Sequence, residues 1–165
     1  MPRIPFSNNP IHVAFPGGSF HFYPQGPLSY ISGPRNNPRL WQSEETWGVR
    51  LVMGLSIQGE RKEISPLSII DYVKRFCAFA GLAPDSSYIM QKGVYKYSGN
   101  GEVKTEKSLQ IVILSVNNGD LPPYFFEWYM EILAEAMAVD FRQESIIVEL
   151  QRNGVVQETA GVGPD

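Results

Sequence analysis

Cysteine and histidine are scarce in this sequence, which has one cysteine and two histidines among its 165 residues. A single cysteine allows no internal disulfide and no cysteine-rich metal site. Cys77 falls on the apolar stripe of a predicted helix, whereas a nucleophilic thiol needs exposure and a basic neighbour. The glycine patterns that bind nucleotide phosphates are also absent. We therefore predict no metal and no cofactor.

Long apolar runs and an excess of positive charge are missing as well. No run approaches the roughly 20 apolar residues that span a membrane. The net charge of −3 argues against a protein that neutralises nucleic-acid phosphates. The N-terminus has no apolar run that would mark a secretory signal. We expect a soluble, cytoplasmic protein that contacts neither membranes nor nucleic acid.

The most strongly patterned stretch, residues 121–143, predicts a helix of about five turns. Its apolar side should pack on a sheet. Opposite that side, Glu127, Glu131 and Glu135 form an acidic stripe, which we interpret as a solvated surface. The apolar side is formed by Phe126, Tyr129, Met130, Leu133, Met137 and Phe141.

Other elements are predicted from residue 47 onward. Residues 47–57 alternate apolar and small or polar side chains, which indicates a strand with one apolar face. Ser65 and Pro66 begin a helix with a hydroxyl N-cap and a proline at the first position. Three further strands are predicted at 88–97, 108–116 and 145–151, and an Asn153-Gly154 turn should lead into a short last strand at 155–159. The apolar run LQIVILSV of the second of these strands should be central.

The element order predicts an α+β protein with a ferredoxin-like, split βαβ antiparallel sheet and two helices on one face. We assign this domain to residues 47–165. Residues 1–46 are predicted to form an irregular aromatic arm packed on the domain. Its hairpin should close on Gly17 and Gly18, with Phe20 and Phe22 on an apolar face. Either this arm or a second copy of the chain should cover the face that the helices leave open.

His12 and His21 are the candidates for catalysis or metal binding. The predicted register places them diagonally on the polar face of the hairpin, with no acid or cysteine nearby. A catalytic zinc site has three protein ligands, so we favour two surface imidazoles without a chemical role.

Large aromatic side chains on an outer surface favour an interaction site. Tyr124 and Trp128 share the outer side of the long helix, and with Phe20 and Phe22 they are the predicted contact residues. A two-fold homodimer is the commonest closed assembly. We therefore predict a homodimer centred on the sheet face or on the Tyr124–Trp128 edge.

No catalytic motif is present, so we predict a non-enzymatic binding or assembly protein that acts as a homo-oligomer. Its further partner would be a protein or a small molecule. The alternative is a small cofactor-independent enzyme of the ferredoxin-like type, with a pocket between sheet and arm and His12 or His21 as the base. An enclosed pocket with a perturbed ionisable group would favour the enzyme.

Overall fold

The computed structural model describes residues 11–15, 18–26, 29–32, 47–57, 62–80, 86–99, 101–115, 123–153 and 155–164. In these ranges no helix is both long and apolar enough to cross a membrane. The elements in chain order are β1 (Ile11–Phe15), β2 (Gly18–Pro24), β3 (Ser29–Ser32), β4 (Trp47–Gly54), α1 (Pro66–Phe79), β5 (Ser86–Gly99), β6 (Glu102–Ser115), α2 (Pro123–Asp140), β7 (Ile146–Arg152) and β8 (Val155–Val162).

The strands form one antiparallel sheet in the order β1-β2-β5-β6-β4-β7-β8, and β3 also pairs with β5. The predicted ferredoxin-like fold is wrong, because the hairpin β1–β2 extends one side of the sheet and β8 extends the other. The cause is the length of β5 and β6, which run for 14 residues each. The outer half of β5 offers hydrogen-bonding groups with which β2 pairs. The result is a curled sheet, a half-barrel with the two helices on one face.

The helix-covered face contains the main core. Alternate residues of β4, among them Val49, Leu51 and Met53, are buried there, as the period-two pattern predicts. α1 buries Ile69, Val73 and Cys77 against them. The apolar side predicted for the long helix is confirmed at four of its six residues, which are buried: Phe126, Met130, Leu133 and Met137. Ala134 and Ala138 are buried with them, whereas Tyr129 and Phe141 are half-buried at the edge of the core.

The helix boundaries are close to those predicted from the sequence. α1 begins at Pro66, as predicted, although the Ser65 side chain makes no capping hydrogen bond. α2 is shorter than the predicted range 121–143 and ends at Asp140. Beyond it, Arg142 adopts a positive φ of 51° and the Gln143 N–H donates to the Ala138 carbonyl at 2.8 Å. This left-handed residue ends the helix and turns the chain toward β7.

The opposite, concave face contains a second apolar cluster of Phe20, Phe22, Val52 and Ile147. β2 is separated from β4 by two strands in the sheet, so these side chains meet only because the sheet curls. Phe20 and Phe22 thus cover the second face as part of the sheet, rather than as part of an irregular arm. The predicted division of the chain at residues 46 and 47 remains a prediction.

The register of the first hairpin differs from the predicted one. Closure on Gly17 and Gly18 would pair Val13 with Phe22 and Phe15 with Phe20. In the structure Val13 pairs with Phe20 and Phe15 pairs with Gly18, a shift of two residues. Gly18 is needed in the strand, because a Cβ there would collide with the carbonyl of Ser98 in β5. A shift of two residues keeps every side chain on its face but changes its partner.

A buried polar cluster lies on the concave face beside the apolar one. The Arg50 Nη1 donates to Glu149 Oε1 at 3.1 Å, and the Gln151 amide donates to the same oxygen. Burial lowers the pKa of Arg50, and the negative charge of Glu149 opposes that change. The pair links β4 to β7, where the two residues are directly opposite.

Phe22→Ala tests whether the curled sheet depends on its concave apolar cluster. Phe22 is fully buried, and truncating it should lower the free energy of unfolding by about 3–5 kcal/mol. Phe79→Ala is the matched control, because Phe79 is 92% exposed and its loss should change stability by less than about 0.5 kcal/mol. Urea unfolding of both variants measures the difference. Equal stability of the two variants would contradict this account of the cluster.

Candidate functional site

A cavity of about 660 Å³ opens on the concave face, next to the Phe20–Ile147 apolar cluster. Its size is within the range of about 300–1,000 Å³ that is typical of small-molecule sites. β2, β4 and β7 supply the floor, with Phe20, Val52 and Ile147. The β5–β6 hairpin forms one wall, and the chain between α2 and β7 forms the other.

Glycines make room for the side chains of the hairpin wall. A Cβ on Gly54 would occupy the position of the Glu106 carboxylate, and a Cβ on Gly99 would meet the ring of Tyr97. Both glycines are on the concave face and line the cavity. Their missing side chains therefore let an acid and an aromatic ring lie flat against the sheet.

The acidic and aromatic groups of the hairpin wall act together. Tyr95 and Glu106 are directly opposite in the β5–β6 pairing and are hydrogen bonded through their side chains. Burial, this hydrogen bond and the charges of Glu106 and Glu144 raise the pKa of Tyr95. Its phenol therefore stays protonated and donates to the Glu106 carboxylate beside the cavity.

The second wall is held by the Gln143 side chain, whose Nε2 donates to the carbonyls of Ser56 and Phe141, both at 3.0 Å. These bonds tie the end of α2 to the segment after β4. Arg142 and Glu144, the exposed neighbours of Gln143, both line the cavity. The left-handed backbone of Arg142 is what directs the chain along this side.

Charges of both signs surround the cavity, with the acids in the majority. Glu102, Glu106 and Glu144 contribute negative charge, and Lys104 and Arg142 contribute positive charge. An apolar floor with aromatic rings and carboxylates above it suits an organic cation that has a flat apolar part. The two basic groups would suit a carboxylate on the same molecule. In size and charge the cavity suits a small charged organic molecule.

The predicted candidates His12 and His21 do not line this cavity. They are on the other face of the hairpin from Phe20 and Phe22, which are buried in the concave cluster. Neither imidazole is therefore placed to act as a base at the cavity. Of the predicted contact residues, Phe20 alone is part of the cavity lining.

The outer side of α2 lies away from the cavity. Trp128 is 52% exposed and its ring lies 5.3 Å from that of Tyr129. The side chain of Tyr124 is outside the described residues. The homodimer and its contact surface remain predictions.

Glu127, from the predicted acidic stripe, contacts Glu158 of β8 through a side-chain hydrogen bond and is less exposed than Glu131 and Glu135.

The tyrosines and glutamates that line the cavity were not predicted as site residues from the sequence. One signal was available: Tyr95 and Tyr97 alternate with Lys92 and Lys96, which places the tyrosines on the opposite face of the strand. Recognising Glu106 as their partner required the strand pairing.

Among the described residues, no group of three or more His, Cys, Asp or Glu side chains could hold a metal ion.

Two solved structures are similar to this chain. One is a phage SAM lyase in complex with S-methyl-5'-thioadenosine, with a TM-score of 0.59 and 29% sequence identity, covering 72% of this chain and 89% of that chain. The other is a phage SAM lyase in the apo state, with a TM-score of 0.56 and 29% identity, covering 75% and 94%. No protein-family model matches the chain, and neither does any curated protein sequence.

These similarities contradict the prediction of a non-enzymatic binding or assembly protein. Both neighbours are enzymes, and the similarity extends over most of each chain. The prediction failed because it rested on the absence of a catalytic motif in the sequence. The acids and tyrosines of the cavity are distant in sequence from its floor and come together only through the curl of the sheet.

Glu127→Gln tests the carboxyl pair between α2 and β8. The hydrogen bond to Glu158, burial and neighbouring negative charge raise the pKa of Glu127 from 4.5 to about 7. This contribution to stability is therefore full below pH 4.5 and is lost as the pH rises through about 7. Glutamine keeps a donor at every pH, so the Tm of the variant should match the wild type at pH 4.5 and exceed it at pH 8.

Glu135→Gln removes a charge from the same stripe and is the control for general charge effects. Thermal unfolding of the three proteins between pH 4 and 8 measures the difference. If Glu127→Gln and Glu135→Gln show the same pH dependence, the contact with Glu158 makes no contribution.

Proposed function

We propose that this protein is an S-adenosylmethionine lyase that releases S-methyl-5'-thioadenosine. The observation that supports this most strongly is the 29% identity to a lyase solved with that thioether, over 72% of the chain. The cavity is consistent with the proposal, since S-adenosylmethionine is an organic cation with a flat base and a charged amino-acid end. The site has an apolar floor, three carboxylates and two basic groups for these parts.

The reaction breaks the bond between the sulfonium sulfur and Cγ of the methionine part. Both electrons of that bond stay on sulfur, which becomes the neutral thioether of S-methyl-5'-thioadenosine. The remaining four-carbon amino acid regains an electron pair either from its own carboxylate, which closes a lactone, or from a C–H bond, whose proton leaves. Neither route consumes water, so the enzyme needs to orient one substrate and exclude solvent.

The proposal assigns each part of the substrate to residues that line the cavity. The adenine ring packs on the floor formed by Phe20, Val52 and Ile147. The sulfonium lies against Tyr97 and the Glu106 carboxylate, because aromatic faces and negative charge both stabilise an organic cation. Tyr95 is a positioning residue, since its hydroxyl holds Glu106 through the hydrogen bond described above.

The amino-acid end carries a carboxylate and an ammonium group. In this proposal Arg142 and Lys104 hold the carboxylate, and Glu144 receives the ammonium group. These contacts hold the methionine part in one conformation, which matters because the bond to sulfur breaks only when the attacking group is aligned with it. The loop that presents Arg142 and Glu144 is fixed by the Gln143 side chain.

The direct test is incubation of the full chain with S-adenosylmethionine and detection of S-methyl-5'-thioadenosine by chromatography and mass spectrometry. Phe79→Ala serves as the active control, because its exposed side chain is remote from the cavity lining. A buffer blank corrects for spontaneous decay of the substrate. Identification of the four-carbon product separates ring closure from proton loss. A chain that binds neither compound and forms no thioether would contradict the proposed function.

Glu106→Gln tests the contact with the sulfonium. Removal of one negative charge next to a cation should weaken binding of S-adenosylmethionine by roughly tenfold or more, or about 1.4 kcal/mol. The neutral product S-methyl-5'-thioadenosine should bind with little change. Calorimetric titration with both compounds measures the two affinities. Equal losses would show that Glu106 contacts a group present in both molecules, such as the ribose.

Gly54→Ala tests the space that the Glu106 carboxylate occupies. The added methyl group would displace the carboxylate, so turnover should fall by roughly tenfold, or about 1.4 kcal/mol in barrier height. Gly161→Ala is the matched control, since Gly161 also lines the cavity but its nearest contact is the Ile147 Cδ1 at 4.0 Å. Similar activity in the two variants would contradict the role assigned to Gly54.

A further inference from the structure

The first hairpin carries its two histidines as a direct cross-strand pair. His12 of β1 is opposite His21 of β2, and their ring centroids lie 4.2 Å apart with planes inclined at 56°. The register predicted from the sequence placed these imidazoles diagonally, which concealed the pair. The Tyr23 hydroxyl lies 3.4 Å from the His21 Nδ1, on the same face of β2. Two imidazoles that can bind a metal ion thus meet on one exposed surface, with the Tyr23 hydroxyl beside them.

We propose that His12 and His21 bind a late first-row transition-metal ion such as Zn²⁺ or Ni²⁺. Imidazole nitrogen is a preferred ligand of these ions. Two rings that share a tetrahedral ion, at about 2.0–2.1 Å from one nitrogen each, have centroids about 5 Å apart, so the pair must open by about 1 Å. His12 is exposed, which permits the small side-chain rotation. Water completes the coordination.

The surrounding charge sets the kind of ion and the strength of binding. Lys96 of β5 is opposite His21, and its positive charge weakens the binding of any cation nearby. A hard ion that depends on carboxylates, such as Mg²⁺ or Ca²⁺, finds no acidic ligand in this trio of side chains. The site should therefore favour ions that bind neutral imidazole, with an affinity below that of a complete four-ligand zinc site.

The metal would join β1 to the strand that forms part of the cavity floor. His21 lies between Phe20 and Phe22 in β2, and Phe20 contributes to the cavity lining. Among the described strands, β1 is a terminal strand of the sheet and pairs with β2 alone. An ion that bridges the two strands would stabilise this edge, because it binds the paired hairpin more tightly than the unfolded chain. The bridge is remote from the cavity and does not depend on the proposed lyase activity.

The experiment uses the full chain without an affinity tag, titrated with ZnCl₂ and separately with NiCl₂. Calorimetry gives the affinity, and NMR spectra of the imidazole protons report whether both rings respond together. His12→Gln and His21→Gln should each weaken binding at least tenfold and abolish the metal-dependent rise in Tm. Lys96→Gln should tighten binding, since it removes the nearby positive charge.

Three results would overturn the proposal. The first is metal affinity that is unchanged in both histidine variants, which would place the ion elsewhere. The second is a spectrum in which only one imidazole responds to the ion. The third is a titration with inorganic phosphate that shifts the imidazole signals while zinc and nickel do not, which would make the pair an anion site. The glutamine variants are on an exposed hairpin surface, and their Tm without metal checks that they fold.

Discussion

Curvature of the sheet is the constraint from which the rest of the structure follows. Two strands separate Phe20 and Phe22 from Val52 in the sheet, yet all three are buried in one cluster. They meet because the outer halves of β5 and β6 bend toward the concave face. Gly93 allows this approach, since a Cβ there would strike the Phe22 ring. A flat sheet of the same strands would expose these side chains to water, at a cost of about 1.5–3 kcal/mol for each large residue.

The same bend creates the cavity. It brings a hairpin wall with Tyr95 and Glu106 over a floor from other strands, and it leaves space where Gly54 lacks a side chain. Water is partly excluded, so the negative charge of Glu106 acts on a ligand more strongly than it would on an open surface. The proposed cleavage converts a positively charged sulfonium into a neutral thioether. Its rate therefore depends on how strongly the site stabilises that positive charge before and during bond breaking.

Local features could be predicted from the sequence, and long-range pairing could not. The proline at the start of α1 and the alternation in β4 are properties of a few neighbouring residues, and both predictions are confirmed. The predicted hairpin register is wrong because Gly18 was assigned to the turn. A glycine is required there by the close approach of the Ser98 carbonyl in β5, 80 residues further along the chain. Tyr95 and Glu106 are 11 residues apart and become partners only through the reversal between β5 and β6.

The buried pair of Arg50 and Glu149 has a consequence for how the chain finds its native pairing. The two residues are opposite in β4 and β7 and are almost inaccessible to solvent. A slip of one residue between these strands would turn Glu149 into the apolar layer beneath the helices and leave Arg50 without its carboxylate. Breaking a buried pair in this way costs about 3–5 kcal/mol. The mispaired sheet is therefore disfavoured once the helices cover it, and the pair selects the native register as well as linking β4 to β7 in the finished fold.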